Sequence, residues 1–358
     1  MIFLRTLLRE FANMGVAVFL SLFLIALTTR LIRLLGQAAG GKIPSDAVVA
    51  FLGFSALSLL PVLLSLTLFI TVLLALNRCW RDSEMVIWLN SGLSLAAWIR
   101  PVLIFAAPLV LVITVMSLVI VPWAVQKGEE YRTRIDTRDD VSRVDPGAFG
   151  ESGSRARVFF VESIAGNKDS VQNVFVSSTQ HKRNGVMMSR RGHSEFAPNG
   201  DRFLVLQSGR RYEGTPGEAD YGLMDFERYA TRIETKEGDE PVATQKSMST
   251  LGLIEAPTHT NLAELLWRIG IPVSALILAL LAIPMSFVNP RAGRSVNLLF
   301  ALLTYMVYSN LLSVSQARVA QGKLAFSTGS WLVHGVMLLV LLALFAQRMS
   351  LFRMPWRR

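Results

Sequence analysis

Six long stretches of this sequence carry no charged side chain, and they limit its possible folds more than any other feature. The stretches are residues 11–29, 47–77, 101–126, 269–290, 295–317 and 324–347. Each is long enough to cross a hydrocarbon core about 30 Å thick, which takes roughly 20 apolar residues as a helix. The chain is also 52% hydrophobic and only 17% charged over 358 residues, too apolar for an ordinary soluble protein. The sequence therefore predicts an α-helical membrane protein with six transmembrane helices.

The interval between the third and fourth apolar stretches has the composition of a soluble domain. Residues 127–268 contain 20 Lys and Arg against 22 Asp and Glu, whereas the rest of the chain holds 16 basic and 4 acidic residues. We therefore expect three helices, an inserted domain and three more helices. The predicted boundaries are 1–126, 127–261 and 262–358.

Short runs rich in β-branched and aromatic residues predict that the inserted domain is a β structure. The runs are 157–164, 172–180, 201–214 and 224–234. Turn-forming segments separate them at the spacing of a sandwich. An open or closed β-sandwich is the expected fold, and the alternating apolar residues Phe160, Val174, Val176, Phe203 and Val205 are candidates for its interior.

Basic residues are distributed unequally between the two sides of the predicted membrane. Eleven lie on the side of the two termini, and five lie in the short loops of the other side. Because short cytoplasmic loops carry the excess of Lys and Arg, we expect both termini in the cytoplasm and the β domain outside. The single cysteine, Cys79, falls on the cytoplasmic side, so the exported domain is expected to fold without disulfides.

The segment "RCWRDSEMVIWLNSGLS", residues 78–94, predicts a short helix between the second and third spans. Asp82 is a candidate cap, Glu84 suits the first turn, and Gly92 suits the end. Its apolar residues share one face, namely Met85, Trp88 and Leu89. A helix over about 82–92 is too short to cross a membrane, and the residues alone allow either a position in the lipid interface or docking into a partner protein.

Four features together resemble the LptF/LptG family of lipopolysaccharide export permeases, and more closely its LptF branch. They are the order of three helices, β domain and three helices, and the motifs "SEMVIWLNSG" (83–92), "LQSGRRYEGTPGEADYGLMDFERY" (206–229) and "IPMSFVNPRAGR" (283–294). The resemblance covers essentially the whole chain. It implies a bacterial inner-membrane protein with a periplasmic jelly-roll-like β domain.

The resemblance also implies that the short helix is a coupling helix, which inserts into a groove on a cytoplasmic ATPase. Glu84 matches the family's contact glutamate, with Asp82, Met85 and Trp88 around it. Arg291 and Arg294, after the fourth span, either serve the positive-inside rule or form a second contact with the ATPase. This chain lacks a G-x-x-x-x-G-K-[ST] motif, so ATP and Mg²⁺ belong to a partner, and we expect no cofactor or metal on this chain.

The implied partners are a companion permease like LptG, an ATPase dimer like LptB and a bridging protein like LptC. The implied substrate is lipopolysaccharide. No nucleic acid is expected.

Arg30 and Arg33 lie at the outer end of the first span, where topology disfavours positive charge. Their spacing places them on one face of a helix. They either anchor the helix by snorkelling or bind lipid phosphates as charge-assisted donors, and the resemblance favours phosphate binding. Arg318 and Lys323 are candidates to complete that site. Candidates for acyl-chain contact, which ordinary packing explains equally well, are Phe19, Phe23, Leu27, Tyr305, Tyr308 and Leu312.

Two other function classes remain open to the sequence. One is a mechanotransmission protein that moves an external partner without carrying lipid. The other is an enzyme, which is disfavoured because neither H-E-x-x-H nor G-x-S-x-G occurs and the histidines lack ligand spacing. The leading interpretation is a permease subunit without catalytic residues of its own.

Overall fold

The computed structural model divides the chain into a membrane unit and a β unit. It describes residues 2–40, 43–136, 149–151, 157–164, 170–180, 183–196, 202–215, 221–232, 244–287 and 294–352. The membrane unit consists of Met1–Glu129 and Ala243–Arg358, and the β unit consists of Glu130–Val242. The β unit is thus shorter at both ends than the predicted 127–261.

The described part of the membrane unit contains six helices long and apolar enough to cross a membrane, which confirms the predicted number of spans. They are Arg5–Ala39, Ser45–Arg81, Leu95–Ile135, His259–Met285, Asn297–Ala320 and Phe326–Met349. The individual helices are α1 (Ile2–Ala39), α2 (Val48–Arg81), α3 (Glu84–Asn90), α4 (Ile99–Val115), α5 (Val121–Asp136), α6 (Thr250–Glu255), α7 (His259–Met285), α8 (Arg294–Ala320) and α9 (Phe326–Phe352).

The third span consists of two helices joined by a π-helical turn. Residues Met116–Ile120 form this turn between α4 and α5, and the chain stays helical throughout. A π-helical turn inserts an extra residue and frees backbone groups that must find other partners. The four prolines within the spans, at 61, 108, 272 and 284, do not end their helices, which continue on both sides of each proline.

Two spans form the centre of the membrane unit. Most of the apolar stretch of α2 and of α7 is buried, whereas none of the most apolar stretch of α1 is buried. The core contains residues of both central helices, including Leu68, Phe69, Leu73, Leu76, Ala275, Leu278 and Leu281. In a membrane such contacts stabilise mainly by close packing, so α1 has one packed side and a long apolar side left open.

The described strands of the β unit form a single antiparallel sheet whose strand order follows the chain. The strands are β1 (Phe149–Glu151), β2 (Arg157–Ile164), β3 (Ser170–Gln180), β4 (Arg183–Phe196), β5 (Arg202–Gly214) and β6 (Gly222–Arg232). The four predicted strands correspond to β2, β3, β5 and β6, and β4 was not predicted. A second sheet, which a complete sandwich requires, is not among the described residues.

The buried side of the sheet differs in part from the predicted interior. Val174 and Val176 lie in the apolar cluster as expected, together with Met187, Leu204 and Leu206. Val205 is buried as predicted, although it lies outside this cluster. Phe160 and Phe203 are only half-buried and also lie outside it. Ser208 in β5 and Asn173 in β3 have positive φ angles of 53° and 48°, which interrupt the regular alternation on which the prediction relied.

Candidate coupling helix and substrate-contacting residues

Two residues, Asp82 and Ser83, separate the end of α2 from the beginning of the short helix α3. Ser83 makes the reversal with a left-handed backbone, at φ 61°, and Gly92 follows the end of α3 with φ 93°. The observed helix is therefore Glu84–Asn90, shorter than the predicted 82–92. Asp82 does not cap it, which corrects the prediction: Ser83 takes the N-cap position without a side-chain hydrogen bond. Asp82 instead ends α2, where its backbone N–H donates to the carbonyl of Arg78 (2.9 Å).

One side of α3 is packed against the membrane unit and the other is open. Met85 is fully buried in the core, and Trp88 and Leu89 pack beside it. On the open side, Val86 and Ile87 expose 45% and 66% of their surface. The helix is thus held by its predicted apolar face, and two further apolar side chains remain available for contact.

Arg78 joins three helices at this end of the membrane unit. Its guanidinium binds both carboxylate oxygens of Glu10 in α1, with Nη2 donating to Oε2 over 2.6 Å. Its Nη1 donates to Asp82 (3.2 Å) and lies 3.6 Å from a carboxylate oxygen of Glu84. The Glu84 side chain keeps 43% of its surface exposed. Sequence reasoning missed this network because Glu10 lies 68 residues before Arg78.

The end of the fourth span packs beside the end of the second. Trp80 donates from Nε1 to the buried hydroxyl of Ser286 (3.2 Å) and meets the ring of Phe287 edge-on at 4.9 Å. The chain from 288 to 293 lies outside the described residues, and so does the side chain of Arg294. The predicted ATPase contact through Arg291 and Arg294 therefore stays a prediction.

Arg30 and Arg33 lie near the opposite end of α1. Arg30 is half-buried and Arg33 is exposed. The structure gives neither guanidinium an ion pair with any acid among the described residues. Two turns before them, Phe19 and Phe23 stack with ring centres 5.5 Å apart, and Leu27 is half-buried. The same helix thus carries two cations and a short apolar row.

Arg318 and Lys323 are exposed on either side of the tight turn between α8 and α9. The backbone N–H of Lys323 donates to the carbonyl of Arg318 over 3.0 Å, and Gly322 between them has φ 69°. The turn therefore brings these two predicted residues together. Their use as substrate contacts stays a prediction.

The tyrosines of α8 contact neighbouring spans. The Tyr305 hydroxyl donates to the carbonyl of Val62 over 3.1 Å. Tyr308 exposes only 1% of its surface, and its hydroxyl lies 2.6 Å from Nδ1 of His334 in α9. Leu312 is buried as well. Tyr308 and Leu312 therefore pack against other residues of this chain. Of the two alternatives, acyl-chain contact and ordinary packing, the structure favours ordinary packing for both.

An open hollow of about 1000 Å³ lies on the β unit. Its apolar lining includes Phe160, Val174, Phe175 and Phe226. Charged residues also line it, among them Arg210, whose Nε donates to Asp225 over 2.8 Å. A hollow lined by both apolar and charged side chains suits an amphipathic ligand.

Comparison with known proteins agrees with these features over nearly the full length. The sequence profile of the family described as "Lipopolysaccharide export system permease LptF/LptG" matches residues 5–347. The lipopolysaccharide export system permease protein LptF of Escherichia coli strain K12 is 28% identical over 351 residues, covering 96% of this chain and 94% of the relative. The LptF protein of Shigella flexneri has the same identity and coverage. This chain belongs to the LptF/LptG family of lipopolysaccharide export system permeases.

Proposed function

We propose that this chain is one permease half of an ABC transporter that extracts lipopolysaccharide from the inner membrane. In this proposal the lipid passes through the β unit toward the outer membrane, and ATP is hydrolysed on a separate cytoplasmic subunit. The observation that carries the proposal is the geometry of α3. Met85 fixes the helix to the membrane unit, while Glu84, Val86 and Ile87 present one carboxylate and two apolar side chains outward.

The composition of α3 favours docking into a protein groove over lying in the lipid interface. Interfacial helices are rich in Lys and Arg on their polar face. The sequence of α3, EMVIWLN, contains neither. A short helix that offers apolar anchors and an acid suits a groove with a basic rim. We therefore assign α3 as the coupling helix and Glu84 as its charged contact, with Asp82, Met85 and Trp88 holding the helix in place.

The proposed assembly contains a companion permease like LptG, an ATPase dimer like LptB with ATP and Mg²⁺, and a bridging protein like LptC. This chain itself is proposed to be non-catalytic and to hold no cofactor. The open apolar side of α1 supports a companion permease there, since none of its most apolar stretch is buried. The charge bias of the sequence supports cytoplasmic termini and a periplasmic β unit.

Substrate recognition is proposed to begin at the outer end of α1. Arg30 and Arg33 have donors available for phosphate groups, and a guanidinium binds phosphate through two parallel hydrogen bonds. Phe23 and Leu27 on the same helix are proposed to contact acyl chains, and Tyr305 in α8 is proposed as a further contact. Arg318 and Lys323 are proposed to extend the cationic surface.

Substitution of Glu84 tests the coupling assignment. The complex of this chain with its companion permease and ATPase is purified with Glu84→Ala, and binding of the ATPase and ATP-dependent release of lipopolysaccharide from proteoliposomes are measured. We expect both to fall about tenfold or more, the effect of losing a charged contact worth roughly 1.4–3 kcal/mol. Asp82→Asn is the matched control because Asp82 also contacts Arg78.

Equal losses in the two variants would assign the effect to the Arg78 network and not to a contact with the ATPase. Full binding and release with Glu84→Ala would return α3 to the lipid interface.

The double substitution of Arg30 and Arg33 by glutamine separates lipid transport from mechanotransmission. Transport predicts less lipid released per ATP, with recovery on substitution by lysine, whereas a mechanotransmission protein would be unaffected.

A further inference from the structure

A buried arginine organises the fourth span, and none of the sites described above uses it. Arg268 in α7 exposes 2% of its surface, although charged side chains are costly within a membrane helix. Its Nε donates to a carboxylate oxygen of Glu264 over 3.0 Å, one turn earlier. This ion pair neutralises the charge but occupies only one of the nitrogens of the guanidinium.

The other two nitrogens bind the return segment, which we define as residues 244–250. This segment leads the chain from the β unit back to α7. Nη2 of Arg268 donates to the backbone carbonyls of Gln245 and Lys246 (3.1 Å each) and of Met248 (3.0 Å). Nη1 donates to the hydroxyl of Thr250 over 2.9 Å. A single side chain in the fourth span thereby fixes both ends of the return segment.

The return segment is bound in turn to the third span, which leads the chain toward the β unit. The Thr250 hydroxyl donates to the carbonyl of Leu118 over 2.5 Å, inside the π-helical turn 116–120. In the same turn, Ser117 donates from Oγ to the carbonyl of Arg268 over 2.9 Å. A π-helical turn leaves backbone groups without a partner in their own helix. Here the carbonyl of Leu118 accepts from Thr250, and the hydroxyl of Ser117 adds a second contact, with the carbonyl of Arg268.

A further contact lies beyond the turn. The Thr244 hydroxyl donates to a carboxylate oxygen of Glu129 in α5 over 2.7 Å. The two stretches of chain that connect the membrane unit with the β unit are therefore tied together at Thr244 and at Thr250, and both ties lie within the membrane unit.

We propose that Arg268 is a positioning residue for transport. Through Thr250 it ties the return segment to the π-helical turn, so that a movement of the fourth span displaces both connections to the β unit together. A buried ion pair retained only for stability is replaceable by apolar residues of similar volume. Apolar residues cannot replace the network of Arg268 in this way, because they donate none of the hydrogen bonds that join the two connections. This proposal rests on the proposed function as a permease.

Substitution of Thr250 tests the tie with little change in volume. Thr250→Val removes the hydroxyl that serves both Arg268 and Leu118, and Thr250→Ser retains it. Thr114→Val is the matched control, since the one partner of the Thr114 hydroxyl among the described residues is the carbonyl of Val110 within its own helix. The complete complex in proteoliposomes is assayed for lipopolysaccharide released per ATP hydrolysed, and hydrogen exchange is measured in peptides covering 116–120 and 244–250.

We expect Thr250→Val to lower the lipid released per ATP about fivefold or more while ATP hydrolysis stays near the wild-type rate. Exchange in both peptides should rise together, by about tenfold or more, as for the loss of one hydrogen bond to a charged group. Thr250→Ser and Thr114→Val should resemble the wild type in both assays. Arg268→Lys should resemble Thr250→Val, because one ammonium group cannot reach the carbonyls that the guanidinium spans.

Wild-type release per ATP in Thr250→Val would overturn the proposal, and so would an equal loss in Thr114→Val. Faster exchange in the return segment alone, with the π-helical turn unchanged, would overturn the tie between the two connections. Hydrogen exchange reports on the tie whatever the transported lipid is. Failure of the wild-type complex to release lipopolysaccharide would therefore overturn the proposed function without deciding the exchange result.

Discussion

Replacing Met85 by alanine should loosen α3 without unfolding the six spans. A helix of seven residues is too short to be stable in water by itself, so α3 depends on the contacts of its buried face. Met85 is the fully buried residue of that face. Its truncation removes the apolar contacts that hold α3 against the core, while the spans keep their own packing.

The expected magnitude follows from this burial. Truncation of a fully buried Met to Ala costs about 2–5 kcal/mol. The lower end applies, because α3 is a single short helix between the turns at Ser83 and Gly92 and can shift to fill part of the cavity. A loss of about 2 kcal/mol raises the local opening equilibrium roughly 30-fold, since each factor of ten corresponds to about 1.4 kcal/mol.

Hydrogen exchange of the complex, measured by mass spectrometry, reads this opening directly. The informative amides are those bonded within α3 and its end, such as Ser91 to the carbonyl of Ile87 (3.0 Å) and Gly92 to the carbonyl of Leu89 (3.1 Å). Peptides covering these residues should exchange about 30-fold faster in Met85→Ala. Peptides from the centre of α2 should be unchanged.

Ile87→Ala is the matched control, because Ile87 is 66% exposed on the same helix. Its effect on local stability should stay within about 0.5 kcal/mol, or roughly twofold in exchange. If α3 docks into the ATPase, however, Ile87→Ala should weaken ATPase binding. The reasoning is refuted if the two variants exchange alike, or if Met85→Ala accelerates exchange throughout the spans.

Two further substitutions test the packing of each unit separately. Tyr308→Phe removes the buried hydroxyl beside His334. We expect a loss of stability of about 1–3 kcal/mol, seen as a lower midpoint of thermal unfolding in detergent. An unchanged midpoint would mean that this hydrogen bond adds nothing to stability. Gly209→Ala places a Cβ against the carbonyl oxygen of Met188, so limited proteolysis should cleave the β unit of this variant faster. Gly222 has space for a Cβ, so Gly222→Ala should resist proteolysis as the wild type does. Equal resistance of both variants would contradict the strand geometry.

The spans were predictable because their defining property is local. A helix in hydrocarbon needs a sufficient length of apolar residues, and charge-free stretches measure that length. The helix ends were less predictable, since backbone hydrogen bonds continue past the last apolar residue. Thus α2 extends through Arg81 and α5 extends to Asp136, both beyond the charge-free stretches.

The strand β4 shows what composition does not reveal. Its sequence, RNGVMMSRRGHSEF, holds several charged residues and two glycines and lacks a long alternation of apolar and polar residues. It nevertheless pairs along its length with β3 and β5, from Gly185 opposite Ser178 to Phe196 opposite Arg202. Backbone groups form the ladder whatever the side chains are, so a strand between two others is stable without a clear pattern of its own.

The arginines at span ends show most clearly where sequence and structure part. Arg78 and Arg268 each border a charge-free stretch, but in the sequence only Arg78 counts as a marker of topology, whereas Arg268 counts among the basic residues of the inserted interval 127–268. In the structure the Arg78 guanidinium is bound by acids, and the Arg268 guanidinium by Glu264 and by backbone carbonyls of the return segment. Neither therefore has its full set of donors left for an anionic ligand. Arg30 and Arg33 have no acid partner among the described residues, and this difference makes them the stronger candidates for binding phosphate.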